Sequence, residues 1–318
     1  MLTRRRFLLT SGAALLVART ASASTGTTNI GGNAFGSYWQ LSVTPEGAVK
    51  AARAGLGAII DAVDQGFSPY RADSVLSMFN RNANTDWQAI RPDVHQVLQA
   101  GLNLATTSMG AFDPTVGPAV ARFGFGPITG AMGHFNEITL TPEAVRKARP
   151  GLSIDLCGIA KGYALDLMAA RLADAGIEDF LLDLGGELVS CGTHPSGRPW
   201  QVAIDAPGGG LTEAFALSGQ AVATSGTTIQ AYHIGQKTFG HIIDPLTGKP
   251  SASGVVSVSV LAQTGMAADG WATALMAMPE QKALATARQQ GLDALFLVAR
   301  DNGFEPVALG NFAQHLLG

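Results

Sequence analysis

The sequence predicts an α+β fold, and three observations carry that prediction. Stretches with helical periodicity are mixed with clusters of short apolar strands. The chain is 47% hydrophobic and only 14% charged, enough apolar material for a large core in one domain or in two intimately joined lobes. Its 39 glycines, beside 7% aromatic residues, indicate many tight turns and close backbone approaches. No solenoid repeat, heptad pattern, acidic tail or basic tract is present.

The first 23 residues stand apart from the fold. Thr3-Arg4-Arg5-Arg6-Phe7-Leu8-Leu9 opens a basic region, an apolar run continues to Ala18, and Ala21-Ser22-Ala23 supplies a small-x-small cleavage site. The paired arginines before Phe-Leu are similar to a twin-arginine signal, which exports folded proteins. An apolar run of about 12 residues falls short of the ~20 needed to span a bilayer. The expectation is a signal over residues 1–23 and a soluble periplasmic domain over residues 24–318, not membrane-spanning after cleavage. Loss of the four leader arginines leaves 17 basic against 24 acidic groups, a balance that argues against nucleic acid as a partner. Cys157 and Cys191 can form one disulfide or remain two buried free thiols, and the sequence leaves both open.

Taken in order, residues 37–43 are the first expected strand. Ala51, Leu56, Ile59, Ile60 and Val63 recur at helical spacing and predict a helix over residues 50–67. Residues 94–107 predict a second helix closed by Gly110, and residues 122–137, rich in Gly and Phe, a loop. Residues 142–149 predict a short helix with Thr141 as N-cap and Pro142 at the first position. A strand over residues 152–156 is expected to lead into an amphipathic helix over residues 159–175, stopped by Gly176. Strands follow at 180–184 and 187–190 around Gly185-Gly186, then at 200–204 and 214–223 around the turn Pro207-Gly208-Gly209-Gly210. Residues 239–243 predict a strand entering the β-turn Asp244-Pro245-Leu246-Thr247-Gly248. Residues 255–261 alternate as a last strand before GMAADGWATALM, residues 265–276.

Four clusters place polar donors beside glycines. Asp113 and Thr115, in FDPTVGP, suit either a capped turn or a binding loop. In IDLCGIAKGY a helix is expected to start with Lys161 in its first turn, where free N–H groups and a positive charge suit phosphate. A structural turn explains the same residues, and the spacing is not that of a P-loop. His241 alternates with apolar neighbours, as a core histidine or as a proton-transfer group at a strand end. Asp269 and Thr273, four apart, share one helix face. An acid and a hydroxyl so placed suit Mg²⁺, and equally suit an N-cap plus a hydroxyl bonded to its own helix.

Together these clusters resemble the ApbE family, the FAD:protein FMN transferases. The matching pieces are DSVLSMFN at residues 73–80, FDPTVGP at 112–118 with FGFG at 123–126, IDLCGIAKG at 154–162, and LGGE at 184–187. Ser225-Gly226, HIIDPLTG at 241–248 and the 268–273 segment complete them. The resemblance implies two α+β lobes of mixed or antiparallel sheet with helices, and a flavin cleft between them. It implies Mg²⁺ held by Asp269, Thr273 and the Ala160 carbonyl, with His241 beside the transferred phosphate and Asp244 as a nearby carboxylate. Phe35, Phe79, Asn80, Asp113, Thr115, Lys161, Gly185, Gly186, Glu187 and Ser225 would shape the FAD pocket. The implied reaction moves the FMN moiety of FAD onto a Ser or Thr hydroxyl of an acceptor flavoprotein and releases AMP. An exported member resembles the nitrous-oxide-respiration branch, whose acceptor is the periplasmic domain of a membrane redox protein. Splitting of FAD to FMN and AMP, and flavin binding without chemistry, are the alternatives. The chain departs from the family pattern at Cys157, at Thr227-Thr228, at Phe35-Gly36-Ser37 and at Gly270-Trp271.

Overall fold

The computed structural model describes residues 26–205, 211–227, 231–234, 237–251, 253–301 and 303–317. The expected signal over residues 1–23 and the turn at 207–210 lie outside the described residues. One eight-stranded sheet organises the rest. Its strands lie in the order Thr28–Ala34, Ser37–Val43, Phe180–Leu184, Glu187–Cys191, Ala221–Gly226, Val255–Ala262, Asp293–Arg300 and Gly303–Leu309. Each neighbouring pair in it is antiparallel. The two central strands, Glu187–Cys191 and Ala221–Gly226, share a short ladder, Ala221–Val189 and Val222–Leu188. This short seam joins two halves, and beyond it the strands diverge.

Three apolar clusters flank the sheet. Helices Leu56–Phe67, Pro92–Thr107 and Cys157–Asp174 bury Leu98, Leu165, Met168 and their neighbours against the first half. Helices Gly265–Ala277 and Glu280–Gln289 do the same for the second half, with Leu275, Met276 and Phe296 at its centre. The hairpin Trp200–Asp205 with Leu211–Leu217 covers the third cluster, around Phe215 and Phe312. Trp271 packs against both the first and the second cluster, which gives this side chain a place between the halves.

Several elements differ from expectation. The helix over residues 50–67 is two helices, Pro45–Ala51 and Leu56–Phe67, parted at Gly55, whose φ of 73° is left-handed. Helix Val75–Arg81, capped by Ser74 accepting from the Ser77 N–H at 3.1 Å, was not expected. Residues 142–149 do not form a helix: Ala144–Lys147 is a strand paired with Ile138–Leu140 and Gln88–Ala89. Thr141 and Ala144 bond each other's backbones in a tight turn, and Val145 and Lys147 face inward at the period of a strand. Residues 152–156 form no strand, because the Asn80 amide takes both polar groups of Ile154, at 2.7 and 2.8 Å. The expected strand over residues 214–223 divides at Gly219, φ 66°, into Leu211–Leu217 and Ala221–Gly226. The one over residues 239–243 divides into Lys237–Gly240 and Ile243–Asp244.

Candidate active site

A cleft of about 840 Å³ opens where the two halves of the sheet part. Two hairpin tips form its rim. Ala34 and Ser37 are joined by Phe35 (φ 49°) and Gly36 (φ 74°), a two-residue loop with both residues left-handed. Leu184 and Glu187 are joined in the same way by Gly185 (φ 67°) and Gly186 (φ 105°). Strand Ser37–Val43 pairs with Phe180–Leu184, so the tips lie side by side. The left-handed backbone at Phe35 is unusual for a bulky residue and turns its ring-bearing position toward the cleft lining.

Two helices form the cleft floor, and their contacts fix an antiparallel register. A Cβ on Gly158 would lie 2.8 Å from Thr273, and one on Gly162 would lie 2.1 Å from the Gly265 carbonyl oxygen. The Gly162 N–H donates to Asp269 Oδ2 at 3.0 Å. Asp166 Oδ1 and Oδ2 accept the N–H groups of Gly265 and Met266 at 2.6 and 3.0 Å. Residues 158, 162 and 166 on one helix therefore face 273, 269 and 265 on the other, at the four-residue spacing of one helix face. The absence of side chains lets the backbones meet. Gly270 has the same kind of reason, since a Cβ there would lie 2.7 Å from Leu104 Cδ2.

Charge is concentrated on this floor. Lys161 Nζ sits 2.6 Å from Glu187 Oε1. Glu187 is 3% exposed, and its Oε2 is buried without a hydrogen-bond partner. Burial pushes the Glu187 carboxyl up to about 7; Lys161 pulls it back down and the charge of Asp269 adds to the rise. Burial also raises Asp269, opposed by Lys161 and by the Gly162 N–H. For the Lys161 ammonium, burial works downward, but Glu187 and Asp269 outweigh it and hold it above its ordinary value. Two buried carboxyl groups thus lie in the field of one ammonium, which pairs directly with Glu187. Across the cleft, His241 meets the Phe125 ring edge-on, with centroids 6.3 Å apart.

The sequence profile of the ApbE family matches residues 35–296. This chain belongs to the ApbE family. An FAD:protein FMN transferase of Klebsiella pneumoniae is 33% identical over 321 residues, covering 94% of this chain and 92% of its own. The flavin transferase ApbE from Vibrio cholerae superposes with a TM-score of 0.82 at 30% identity, over 91% of this chain and 99% of that one. The apo flavinyl transferase ApbE of Pseudomonas stutzeri gives 0.81 at 29% identity, over 92% and 98%. The α+β, antiparallel-sheet architecture expected from the sequence is accordingly the ApbE-like fold.

Within this ApbE fold the expected site residues fall into two groups. Phe35, Asp113, Ala160, Lys161, Gly185, Glu187, Ser225, His241, Asp269 and Thr273 line one cleft. Ser225 Oγ and Thr273 Oγ1 are 3.5 Å apart there. Phe79, Asn80, Thr115, Gly186 and Asp244 are not among the lining residues. Phe79 borders a separate apolar cavity, and the Asn80 amide is committed to Ile154. Thr115 donates its hydroxyl to Asp113 Oδ1 at 2.7 Å, closing the loop. Gly186 donates to Asp183 Oδ1 at 2.8 Å and so completes its hairpin tip. The Asp244 carboxylate accepts from the Leu246 N–H and the Thr247 hydroxyl, both at 2.9 Å, and closes the β-turn that follows it. Both cysteines are free; Cys191 is half-buried, and Cys157 is exposed rather than buried, at the cleft. Tyr70, 73% exposed in the lining, escaped the sequence reading because it precedes the matched 73–80 segment as a single aromatic in a loop.

Proposed function

We propose that this chain is an FAD:protein FMN transferase, moving the FMN moiety of FAD onto a Ser or Thr hydroxyl of an acceptor flavoprotein with release of AMP. The carrying observation is the floor of the cleft, where Lys161, Glu187, Asp269 and Thr273 meet below His241 in a space suited to a large ligand. Helix Cys157–Asp174 begins at this cleft; Asp155 Oδ1 accepts the Cys157 N–H at 3.0 Å, and Lys161 brings a positive charge that favours a bound phosphate. The open face of Tyr70 offers a surface on which a planar ring can stack.

The residues present also fit Mg²⁺. Among the described residues no three His, Cys, Asp or Glu side chains gather into a metal cluster. A hard cation that keeps waters and substrate phosphate in its shell needs only a few oxygen donors. Asp269, Thr273 and the Ala160 carbonyl supply them, beside the buried Glu187 carboxyl. When bound, Mg²⁺ would neutralise the pyrophosphate and polarise the phosphorus–oxygen bond.

In the reaction, the acceptor hydroxyl attacks the FMN-side phosphorus and forms a new P–O bond. The bond from that phosphorus to the bridging oxygen breaks, and AMP leaves with that oxygen. His241 takes the hydroxyl proton, while Lys161 holds the phosphate charge during transfer. Export by the twin-arginine route places the enzyme in the periplasm, with the periplasmic domain of a membrane redox protein as acceptor.

Incubation with FAD, Mg²⁺ and candidate acceptor domains tests this reading by mass measurement. A gain of one FMN on an acceptor Ser or Thr is expected. AMP release at an equal rate without any acceptor, and no mass gain with one, would instead establish FAD hydrolysis. A Lys pair at Arg4 and Arg5 should strand the protein in the cytoplasm; unchanged periplasmic recovery refutes the export route.

A further inference from the structure

We propose that Asp166 is a positioning residue for the metal-binding face, a clamp that sets the register in which Asp269 and Thr273 meet the helix at Ala160. The inference rests on the Mg²⁺ assignment made under the proposed function.

The helix crossing is built from small residues. A Cβ on Gly265 would lie 2.7 Å from the Gly162 carbonyl oxygen, and one on Gly162 would lie 2.1 Å from that of Gly265. Two backbones in contact have no interdigitating side chains at that point to resist sliding. A slip of a single residue moves a helix by about 1.5 Å along its axis, enough to spoil a metal site. Directional bonds therefore add to the packing of Thr273 on Gly158 in holding the register. Among the described residues the side chains supply three of them: Asp166 to the Gly265 and Met266 N–H groups, and Asp269 to the Gly162 N–H.

The arrangement is reciprocal. Each helix carries a glycine and, four residues later, an aspartate: Gly162 with Asp166, and Gly265 with Asp269. Each aspartate takes the N–H of the other helix's glycine. The two aspartates differ in duty. Asp269 lines the cleft, whereas Asp166 is not among the lining residues. If Asp269 serves as a metal ligand, Asp166 is the remaining anchor free of any role in the cleft. It also meets the N-terminus of helix Gly265–Ala277, where a carboxylate is favoured by the helix dipole.

The test compares Asp166→Asn with Asp174→Asn, which makes the same charge change at an exposed position on the same helix. Asn keeps the size of Asp but replaces one acceptor oxygen with an N–H₂ that cannot accept from Gly265 or Met266. Mg²⁺ is titrated calorimetrically into each protein, and the Mg²⁺ dependence of AMP formation is measured alongside. Asp166→Asn is expected to bind Mg²⁺ about 10-fold or more weakly, as loss of an outer partner does at other metal sites. Turnover at saturating Mg²⁺ should return to near the unsubstituted level, and Asp174→Asn should match the unsubstituted protein throughout. A lowered melting temperature with unchanged Mg²⁺ affinity would show a purely structural residue and overturn the proposal. If Asp166→Asn does not fold, Asp166→Ser, which retains one acceptor, is read by the same criteria. No Mg²⁺ binding by the unsubstituted protein would sink the metal assignment together with this inference, whereas binding insensitive to Asp166 sinks the inference alone.

Discussion

Lys147 and Asp113 are as deeply buried as Glu187 and Asp269, at 0% and 5% exposure against 3% and 3%, yet the two pairs use their hydrogen-bonding capacity differently. The Lys147 ammonium donates to the carbonyls of Phe79, Asn80 and Leu152 at 3.1, 3.5 and 3.3 Å, which uses its three donors. Asp113 accepts from the Thr115 N–H and hydroxyl and from the Phe135 N–H. These groups tie loops to the frame and have little left to offer a ligand. Glu187 keeps an unpartnered buried oxygen, and Asp269 spends one oxygen on Gly162. A buried polar group with spare capacity is costly to hold, and such cost is found where a ligand or ion completes the site. Spare capacity at the cleft, more than burial or polarity, separates site from scaffold here.

The sharpest way to break this contrast is Asp269→Ala. Loss of a ligand from the proposed Mg²⁺ site, through which the phosphate charge would be neutralised, should lower the rate of flavin transfer by about 10²–10³-fold, read as acceptor mass gain over time. A loss smaller than about 10-fold would move Asp269 into the scaffold class with Asp113.

A smaller effect, on stability, comes from Glu187. Its carboxyl is raised from 4.5 to about 7 by burial, so the folded protein holds a proton that the unfolded chain releases. The resulting stability is complete below about pH 4.5 and is lost as pH rises through about 7, on the order of 3 kcal/mol in total. The metal-free protein should therefore melt lower at pH 8 than at pH 5, and Glu187→Gln should flatten that slope by several °C. Asp113, Asp166, Asp183 and Asp269 are raised in the same direction, so a residual slope survives in the variant. Parallel melting curves for the two proteins would show that Glu187 is satisfied in solution.

The sequence made the contents of the cleft legible but not the division between the two classes. Lys161, Glu187, Asp269 and Thr273 were identifiable from motif order, and the hairpin at Gly185-Gly186 from the two glycines between apolar runs. Asn80, Thr115 and Asp244 carry the same kind of side chain in the same motifs. The commitment of Asn80 to Ile154 depends on a contact across 74 residues that no local pattern encodes, whereas Thr115 with Asp113 and Asp244 with the 246–247 turn are short-range turn bonds. The Ala144–Lys147 strand was hidden by a helix-like start, Thr141-Pro142-Glu143, because pairing with Ile138–Leu140 and Gln88–Ala89 outweighs local preference. Gly270 looked like a flaw in a helix. It is the close approach of Leu104 and Ile159 that calls for a residue without Cβ there.

Asp244 gives the smallest expected effect and a direct test of the rule. It stands in the same HIIDPLTG segment as His241, and both its neighbours Ile243 and Pro245 line the cleft. Motif position alone would make it a catalytic carboxylate. The geometry gives its oxygens to the Leu246 N–H and the Thr247 hydroxyl, both within the turn that ends at Gly248. Asp244→Asn retains one acceptor oxygen for the Leu246 N–H, and an exposed turn tolerates such a change within about 0.5 kcal/mol. Transfer rate and melting temperature should both stay close to those of the unsubstituted protein. A fall in transfer as large as that for Asp269→Ala, with melting unchanged, would mean that the turn opens during catalysis and releases the carboxylate toward the reacting phosphate. Spare capacity in the resting structure would then be too strict a criterion for a group to act.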